Sequence, residues 1–525
     1  MNALARIGER LRGLSGWRRL LVAFAAGAFS ALGFEPIAFF PALLLGYAIL
    51  VLLIDSTDTG PKPVRRAALV GWAFLFGQFL IGLHWIVYPF LVDPENHLWQ
   101  APFALMLLPA GLALFGALAG ALAAYFWQDG PARVFVLAVM MAFAEWLRGH
   151  VFTGFPWNLS GYGWGASLAV LQSASLFGAY GLSFLTILLG ASLAELMCGR
   201  WRMPAAMAVI FVGLWGFGVY RLSTTPMRDV SGVEVRLVQP AIPQTEKFVH
   251  RYLLRNWRRL VTLSIAPPDK GKPRPTHIVW PEAATGFAVA RSSGALDQIA
   301  LLITMRGRTL LTGSVRVDRG ADGERAWYNS LYLFPAGGAL PSVYDKFHLV
   351  PFGEYVPYAA TLARIGITQV TTGEGATPGD HPHVLDVPGA PQVTPLICYE
   401  VIFPHEVVDA SGPRPGWLVN VTDDSWFGPW AGPRQHLLIA RVRAIEEGLP
   451  IARSANTGIS AMIDASGRIR NKLDLNRMGF VDSPLPTALP ATPYSRFGDL
   501  VFLIFLVTGA LAAFALARTG SSSKA

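Results

Sequence analysis

Residues 393–400 read VTPLICYE. Val393 to Ile397 form a short, mostly apolar run with the composition of a buried strand, and the run ends on Cys398, one of only two cysteines in 525 residues. Similar strand-like runs lie on both sides of it: VEVRLVQPAI from 233, HIVWPE from 277, TLLTGSVRV from 309, YNSLYLF from 328, GWLVNVT from 416 and ISAMIDASGRI from 459. Helical stretches alternate with them, clearest in QHLLIARVRAIEEGL from 435. Residues 222–497 therefore read as an α/β domain long enough to bury its own core. The Pro/Gly-rich patches APPDKGKPRP and TTGEGATPGDHP read as solvated loops within it.

The rest of the chain is of another kind. Hydrophobic residues make up 53% of the whole and charged ones 15%, with a mean hydropathy of +0.41, which is too apolar for a soluble protein of this length. Apolar runs near 20–36, 38–54, 67–92, 99–126, 133–147, 166–196, 203–220 and 498–517 predict about eight transmembrane helices, seven before the α/β segment and one after it. The predicted organisation is a membrane domain over 1–221, a catalytic domain over 222–497, and a last helix and tail over 498–525. The first run follows Arg6, Arg10, Arg12, Arg18 and Arg19 and has the look of a secretory signal, but a second span follows almost at once, so it reads as an uncleaved anchor. The net charge of +9 is not a nucleic-acid signature, because the arginines flank apolar runs rather than forming one stripe. With the N-terminus inside, Lys62, Arg65, Arg66, Arg133, Arg200, Arg202, Arg518 and Lys524 all fall on the cytoplasmic side. Arg148 is the exception. Seven crossings then put 222–497 outside.

An exported Cys398 has no disulfide partner, since Cys198 emerges at the opposite membrane face, so the thiol is expected free. A lone cysteine in a strand is usually a small buried hydrophobe. Two other polar residues change the picture, because each also ends or follows an apolar strand: Glu282 after HIVWP and Lys346 in VYDKFHLVPFGEYVP. A carboxylate can take the thiol proton, an ammonium can stabilise thiolate and oxyanion, and the thiolate can attack a carbonyl. Spacing alone leaves open that these are surface charges at strand ends.

WPE at 280, DKFHLVPFGEYVP at 345 and ICYE at 397 resemble the carbon–nitrogen hydrolase (nitrilase) superfamily. Together with EWLRGHVFTGFPWN at 145 and VTDDSWFGPWAGPRQHLLIARVRAIEEGLPIARSANTGISA at 421, they resemble the apolipoprotein N-acyltransferase family more closely. The resemblance implies a four-layered αββα sandwich held in the periplasm between transmembrane helices seven and eight, in the bacterial inner membrane with both termini cytoplasmic. It implies Glu282 as general base, Lys346 as oxyanion stabiliser and Cys398 as nucleophile. Glu354 would be a second essential carboxylate, and Tyr399 and Glu400 flank the nucleophile in supporting roles. The implied reaction takes an acyl chain from a phospholipid, typically phosphatidylethanolamine, as a thioester, and passes it to the α-amine of a diacylglyceryl-modified apolipoprotein cysteine. No cofactor, metal or nucleic acid is implied, and a monomer in membrane lipid is expected. Phe248 stands where the family often has tryptophan, which keeps an aromatic ring but loses an indole N–H.

Several features carry two readings. VPYAATLARIGITQV, within 356–370, suits a lipid-dipping lid or a core helix equally. Trp146, Trp157, Tyr162 and Trp164 read as an interfacial belt, while Glu145 and Arg148, one helical turn apart, alternatively meet a phospholipid headgroup. HEVVD at 405 falls one residue short of a zinc signature, and there is no G-x-S-x-G elbow. GALAG at 116 suits close helix packing. A membrane-tethered amidase, in which water resolves the thioester, and a silent scaffold are the competing functions.

Overall fold

The computed structural model describes residues 3–57, 62–268, 270–319, 325–358, 361, 364, 375–404 and 406–522. Two compact units result, one built from the chain up to Val87, Gln100–Thr225 and the chain from Ala491, the other from Tyr88–Trp99 and Pro226–Pro490.

The second unit carries the strands β1 (Asp229–Gln239), β2 (His277–Val279), β3 (Thr309–Arg319), β4 (Arg325–Phe334), β5 (Ser342–Asp345), β6 (Val393–Ile397), β7 (Trp417–Thr422), β8 (Ile451–Ala455), β9 (Ser460–Ile463), β10 (Ile469–Leu473) and β11 (Gly479–Pro486). They form a six-stranded sheet in the order β11-β1-β2-β3-β4-β5 and a five-stranded sheet in the order β10-β9-β8-β7-β6. In each, a parallel centre (β1, β2, β3 and β6, β7, β8) continues into antiparallel strands.

Side-chain alternation along the strands explains the layering. Val233, Val235 and Leu237 of β1 share one core with Val393 and Ile397 of β6 and Val419 and Val421 of β7, so this core lies between the sheets. Val238, Ile278 and Leu310, on the other face, pack against Trp257 and Leu260 of the helix His250–Ile265 and Ile299 of the helix Ser293–Leu302. The helix Ala431–Glu447 covers the five-stranded sheet, and of its 17 residues only Arg434 and Arg441 are not buried. β6 and β7 are buried throughout, as parallel strands covered on both faces must be. The unit is thus an αββα sandwich.

All eight apolar runs fold as helices, but among the described residues five helices are long and apolar enough to span a bilayer: Pro63–Gly82, Pro94–Phe126, Ala174–Met197, Arg202–Thr224 and Leu500–Arg518. The expected count of about eight is not reached among the described residues, for two reasons. Gly16–Ser30 and Phe40–Asp55 have 15 and 16 residues, short for a hydrocarbon core of about 30 Å. Ala132–His150 has 19 but carries Arg133, Glu145 and Arg148. GALAG does mark close packing: a Cβ on Gly116 or Gly120 would come within 2.5 Å or 2.3 Å of the carbonyl oxygens of Gly71 and Ala67 in the helix Pro63–Gly82.

Buried charges inside the first unit find ionic or neutral hydrogen-bond partners. At one end Asp55 accepts from Arg12 (3.1 Å), Arg133 (2.8 Å) and the Trp127 indole (3.0 Å), while Glu195 accepts from Arg133 (2.9 Å) and Arg200 (3.1 Å). Arg148, the exception to the loop-charge pattern, is buried and gives NH1 to the carbonyls of Phe155 and Trp157. Glu145 accepts from Ser160 through N–H at 3.1 Å and through Oγ at 2.6 Å. This pair belongs to the packed interior rather than to a headgroup site. The aromatic belt is corrected likewise, since Trp157, Tyr162 and Trp164 are buried.

Candidate active site

Glu282, Lys346 and Cys398 follow three different strands. Glu282 lies just beyond β2, Lys346 directly follows β5 and Cys398 directly follows β6. Cys398 has φ of +52°, and Ala283, next to Glu282, has φ of +42°. A non-glycine residue in this region costs about 1–3 kcal/mol and turns the chain sharply, which aims the side chain off the strand end. At Cys398 the peptide is held by the His436 ring, whose Nε2 is 3.2 Å from the Cys398 carbonyl oxygen. Gly313 of β3 lets the Glu282 segment lie close, since a Cβ there would be 2.5 Å from the Pro281 carbonyl oxygen and 2.6 Å from Glu282 Cα.

The three residues are nearly buried, at 7%, 1% and 5% exposure, so their partners decide their charge. Lys346 Nζ lies 2.9 Å from Glu354 Oε1 and 3.5 Å from Glu282 Oε1. Burial alone pulls this lysine down, but Glu354 and then Glu282 outweigh it and hold the ammonium above its ordinary range. Glu282 is oriented by neutral donors, Asn329 Nδ2 on Oε1 and the Asp423 N–H on Oε2, both at 2.8 Å. Asn329 Nδ2 also donates to Glu354 Oε1 at 2.9 Å, and Val350 N–H donates to Oε2 at 2.8 Å. Burial, then the Glu282 charge, push the Cys398 thiol well above its ordinary value, while Lys346 pulls it down. Burial and these neighbours thus favour the neutral form of the Cys398 thiol and the charged form of Lys346.

Glu400 ties the Cys398 segment to the loop that follows Lys346. Its Oε2 accepts the Ile397 N–H at 2.6 Å and its Oε1 accepts Phe347 N–H at 2.8 Å and Tyr344 Oη–H at 3.1 Å. Burial nevertheless raises this carboxyl to about 7. Tyr399 packs its ring against Phe403 and His348. Phe248 is half exposed, with Lys247 Nζ 5.9 Å from its ring centre.

Residues that sequence reasoning missed complete the site. Buried Lys247 donates to the Glu282 carbonyl at 2.9 Å and pairs with the Asp423 carboxylate, whose Oδ1 also accepts from Ser425 Oγ (2.6 Å) and Asn456 Nδ2 (3.1 Å). Asp423 and Asp424 follow β7 as Cys398 follows β6, so the strand-end rule applied to GWLVNVTDD would have found them. Lys247 and Asn329 carried no such signal. Most of 356–370 and His405 of HEVVD lie outside the described residues. Among the described residues no group of three His, Cys, Asp or Glu side chains suits a metal.

Residues 26–192 match the apolipoprotein N-acyltransferase N-terminal domain, and 235–487 match the carbon–nitrogen hydrolase domain. A protein of Rhodopseudomonas palustris named apolipoprotein N-acyltransferase is 42% identical over 95% of both chains, and one of Bradyrhizobium diazoefficiens bearing the same name is 43% identical over 95% of both. Among solved structures, a nitrilase-superfamily amidase of Nesterenkonia aligns with a TM-score of 0.36 at 16% identity, over 52% of this chain and 96% of that one. Matched in both domains and along nearly its whole length, this chain belongs to the apolipoprotein N-acyltransferase family, a family of membrane-bound acyltransferase enzymes.

Proposed function

We propose that the protein moves an acyl chain from a phospholipid, typically phosphatidylethanolamine, through a thioester on Cys398 to the α-amine of the S-diacylglyceryl cysteine that begins an apolipoprotein. The observation that carries this reading is the meeting of Glu282, Lys346 and Cys398, each nearly buried, at three strand ends. Glu282 takes the thiol proton and the thiolate attacks the ester carbonyl. The oxyanion that develops is stabilised by the Lys346 ammonium, which Glu354 keeps charged and in place. The lyso-phospholipid leaves with the proton from Glu282. In the second half the amine attacks the thioester, Glu282 takes its proton, and the thiolate is released and reprotonated.

Both substrates are lipid-anchored, which suits a catalytic domain over 222–497 held at the outer face of the inner membrane between helices over 1–221 and a last one over 498–525. Both termini are cytoplasmic in this arrangement, and the enzyme acts as a monomer. A cysteine introduced at Ser523 is then labelled by an impermeant reagent only after the membrane is breached; labelling from outside overturns the topology.

Purified enzyme given phospholipid alone should accumulate an acyl adduct on Cys398 removable by hydroxylamine. A diacylated peptide with a free α-amine should discharge it, and the N-acetylated peptide should not. Glu282→Gln should form no adduct. Rapid release of free fatty acid with no adduct would establish a hydrolase instead.

A further inference from the structure

At Glu282 the chain turns away from its neighbouring strand. Trp280 N–H donates to the Leu311 carbonyl at 2.8 Å and Ala284 N–H to the Gly313 carbonyl at 2.9 Å, so Glu282 lies between two bonds to β3. Its own carbonyl oxygen is taken by a side chain, the Lys247 ammonium, at 2.9 Å. The same ammonium pairs with the Asp423 carboxylate, and the Asp423 N–H donates to Glu282 Oε2 at 2.8 Å. Glu282 is therefore held at both ends, at its main chain by Lys247 and at its carboxylate by the residue with which Lys247 is paired.

Lys247 is fixed in turn. It closes the short helix Gln244–Lys247, and a Cβ on Gly286, whose φ is +64°, would come within 2.3 Å of the Lys247 carbonyl oxygen. Gln244 Oε1, at the start of that helix, lies 3.2 Å from Ser425 Oγ, and Ser425 and Asn456 both donate to the Asp423 carboxylate. The segments around 244–247, 282–286 and 423–425 thus meet at one junction, with Lys247 and Asp423 both buried at its centre. A buried ion pair is a poor source of stability, because the desolvation of two charges offsets their attraction. What this pair does supply is a fixed place for the residue that both partners touch.

We propose that Lys247 is a positioning residue for acyl transfer, which acts through Glu282. The carbonyl it holds belongs to the peptide that joins Glu282 to Ala283, and Ala283 has φ of +42°, so the bond restrains a turn that the backbone does not readily adopt. With that peptide restrained, and the Asp423 N–H on Oε2, the carboxylate keeps one direction while it takes and returns a proton. Without the bond the peptide is free to rotate and carries the carboxylate with it; a displacement of about 1 Å in a reacting group costs on the order of 10²-fold in rate.

This inference rests on Glu282 being the general base. Lys247→Met alone leaves Asp423 charged and unpaired, so the test compares two full-length proteins from which that penalty has been lifted, Asp423→Asn and Lys247→Met/Asp423→Asn. Formation of the acyl adduct on Cys398 from phospholipid is followed in a single turnover by intact mass, with thermal unfolding measured on both. At saturating phospholipid the double variant should form the adduct about 10²-fold more slowly than Asp423→Asn, while the half-saturating phospholipid concentration stays within about twofold. If the double variant does not fold, Lys247→Ala in the same background carries the same expectation. Equal saturated rates in the two proteins overturn the proposal, as does a loss that lies wholly in the half-saturating concentration. A Glu282→Gln protein that forms the adduct at the parent rate would instead overturn the assignment of the base, so the two failures are distinguishable.

Discussion

Cys198 and Cys398 both sit among cations and carboxylates, and the two surroundings differ in how the carboxylates are held and in how the backbone presents the sulfur. Cys198 closes a helical turn with φ of −99°, its sulfur 3.2 Å from the Ala194 carbonyl and 3.2 Å from Arg133 NH2. Among the described residues, the carboxylates of Asp55 and Glu195 near it are paired with guanidinium groups, which carry permanent charge and neither accept nor readily release a proton. Cys398 is held with φ of +52° off a strand end, and the carboxylate beside it, Glu282, is oriented by an amide side chain and a backbone N–H, with the lysine ammonium 3.5 Å away. Cations around a thiol are therefore common to both sites and do not distinguish them. What distinguishes Cys398 is a neighbouring carboxylate held by neutral donors and a backbone that turns the residue off a strand end.

The largest test of that contrast is removal of each thiol. Cys398→Ala should lower N-acylation by on the order of 10³-fold or more, measured by mass spectrometry of a lipopeptide product, whereas Cys198→Ala should stay within about twofold. Equal effects would erase the distinction. Next in size is the buried lysine. Lys247→Met leaves Asp423 charged and unpaired and should destabilise the α/β unit by about 3–5 kcal/mol, read by thermal unfolding; adding Asp423→Asn should recover part of the loss. A Lys247→Met protein as stable as the parent would show that Asp423 does not need its partner.

A smaller effect comes from Glu400. Its folded value of about 7 lies above the ordinary carboxyl value, so folding favours the protonated form. The stabilisation is fully present below about 4.5 and is lost as pH rises through about 7, by at most about 3 kcal/mol. Activity should run the other way, because the ionised carboxylate is the better acceptor for the Phe347 and Ile397 N–H groups. Melting temperature and rate measured from pH 5 to 8 should show these opposed trends, and Glu400→Gln should flatten both. The least effect is expected at the half-exposed Phe248: Phe248→Trp should change stability by less than about 0.5 kcal/mol, and a larger change would mean that the ring packs more tightly than its exposure indicates.

Hydropathy runs, strand-like segments and polar residues at strand ends are properties of contiguous sequence, so the membrane-bound character, the α/β domain and the strand-end residues Glu282, Lys346 and Cys398 could be singled out without coordinates, whereas Glu354 was singled out only through the family resemblance. The span count was less so. A run such as 133–147 looks apolar on average, yet Arg133, Glu145 and Arg148 inside its helix are satisfied by Asp55, Glu195, Ser160 and backbone carbonyls from elsewhere in the chain. The same holds for the inner site. Lys247, Asn329 and His436 stand beside the reacting groups because strand register and helix packing bring segments tens to more than a hundred residues apart into contact. A sequence records which groups can ionise or donate; which of them share a buried, water-poor space, and hence which one is held charged, is decided only when the layers close.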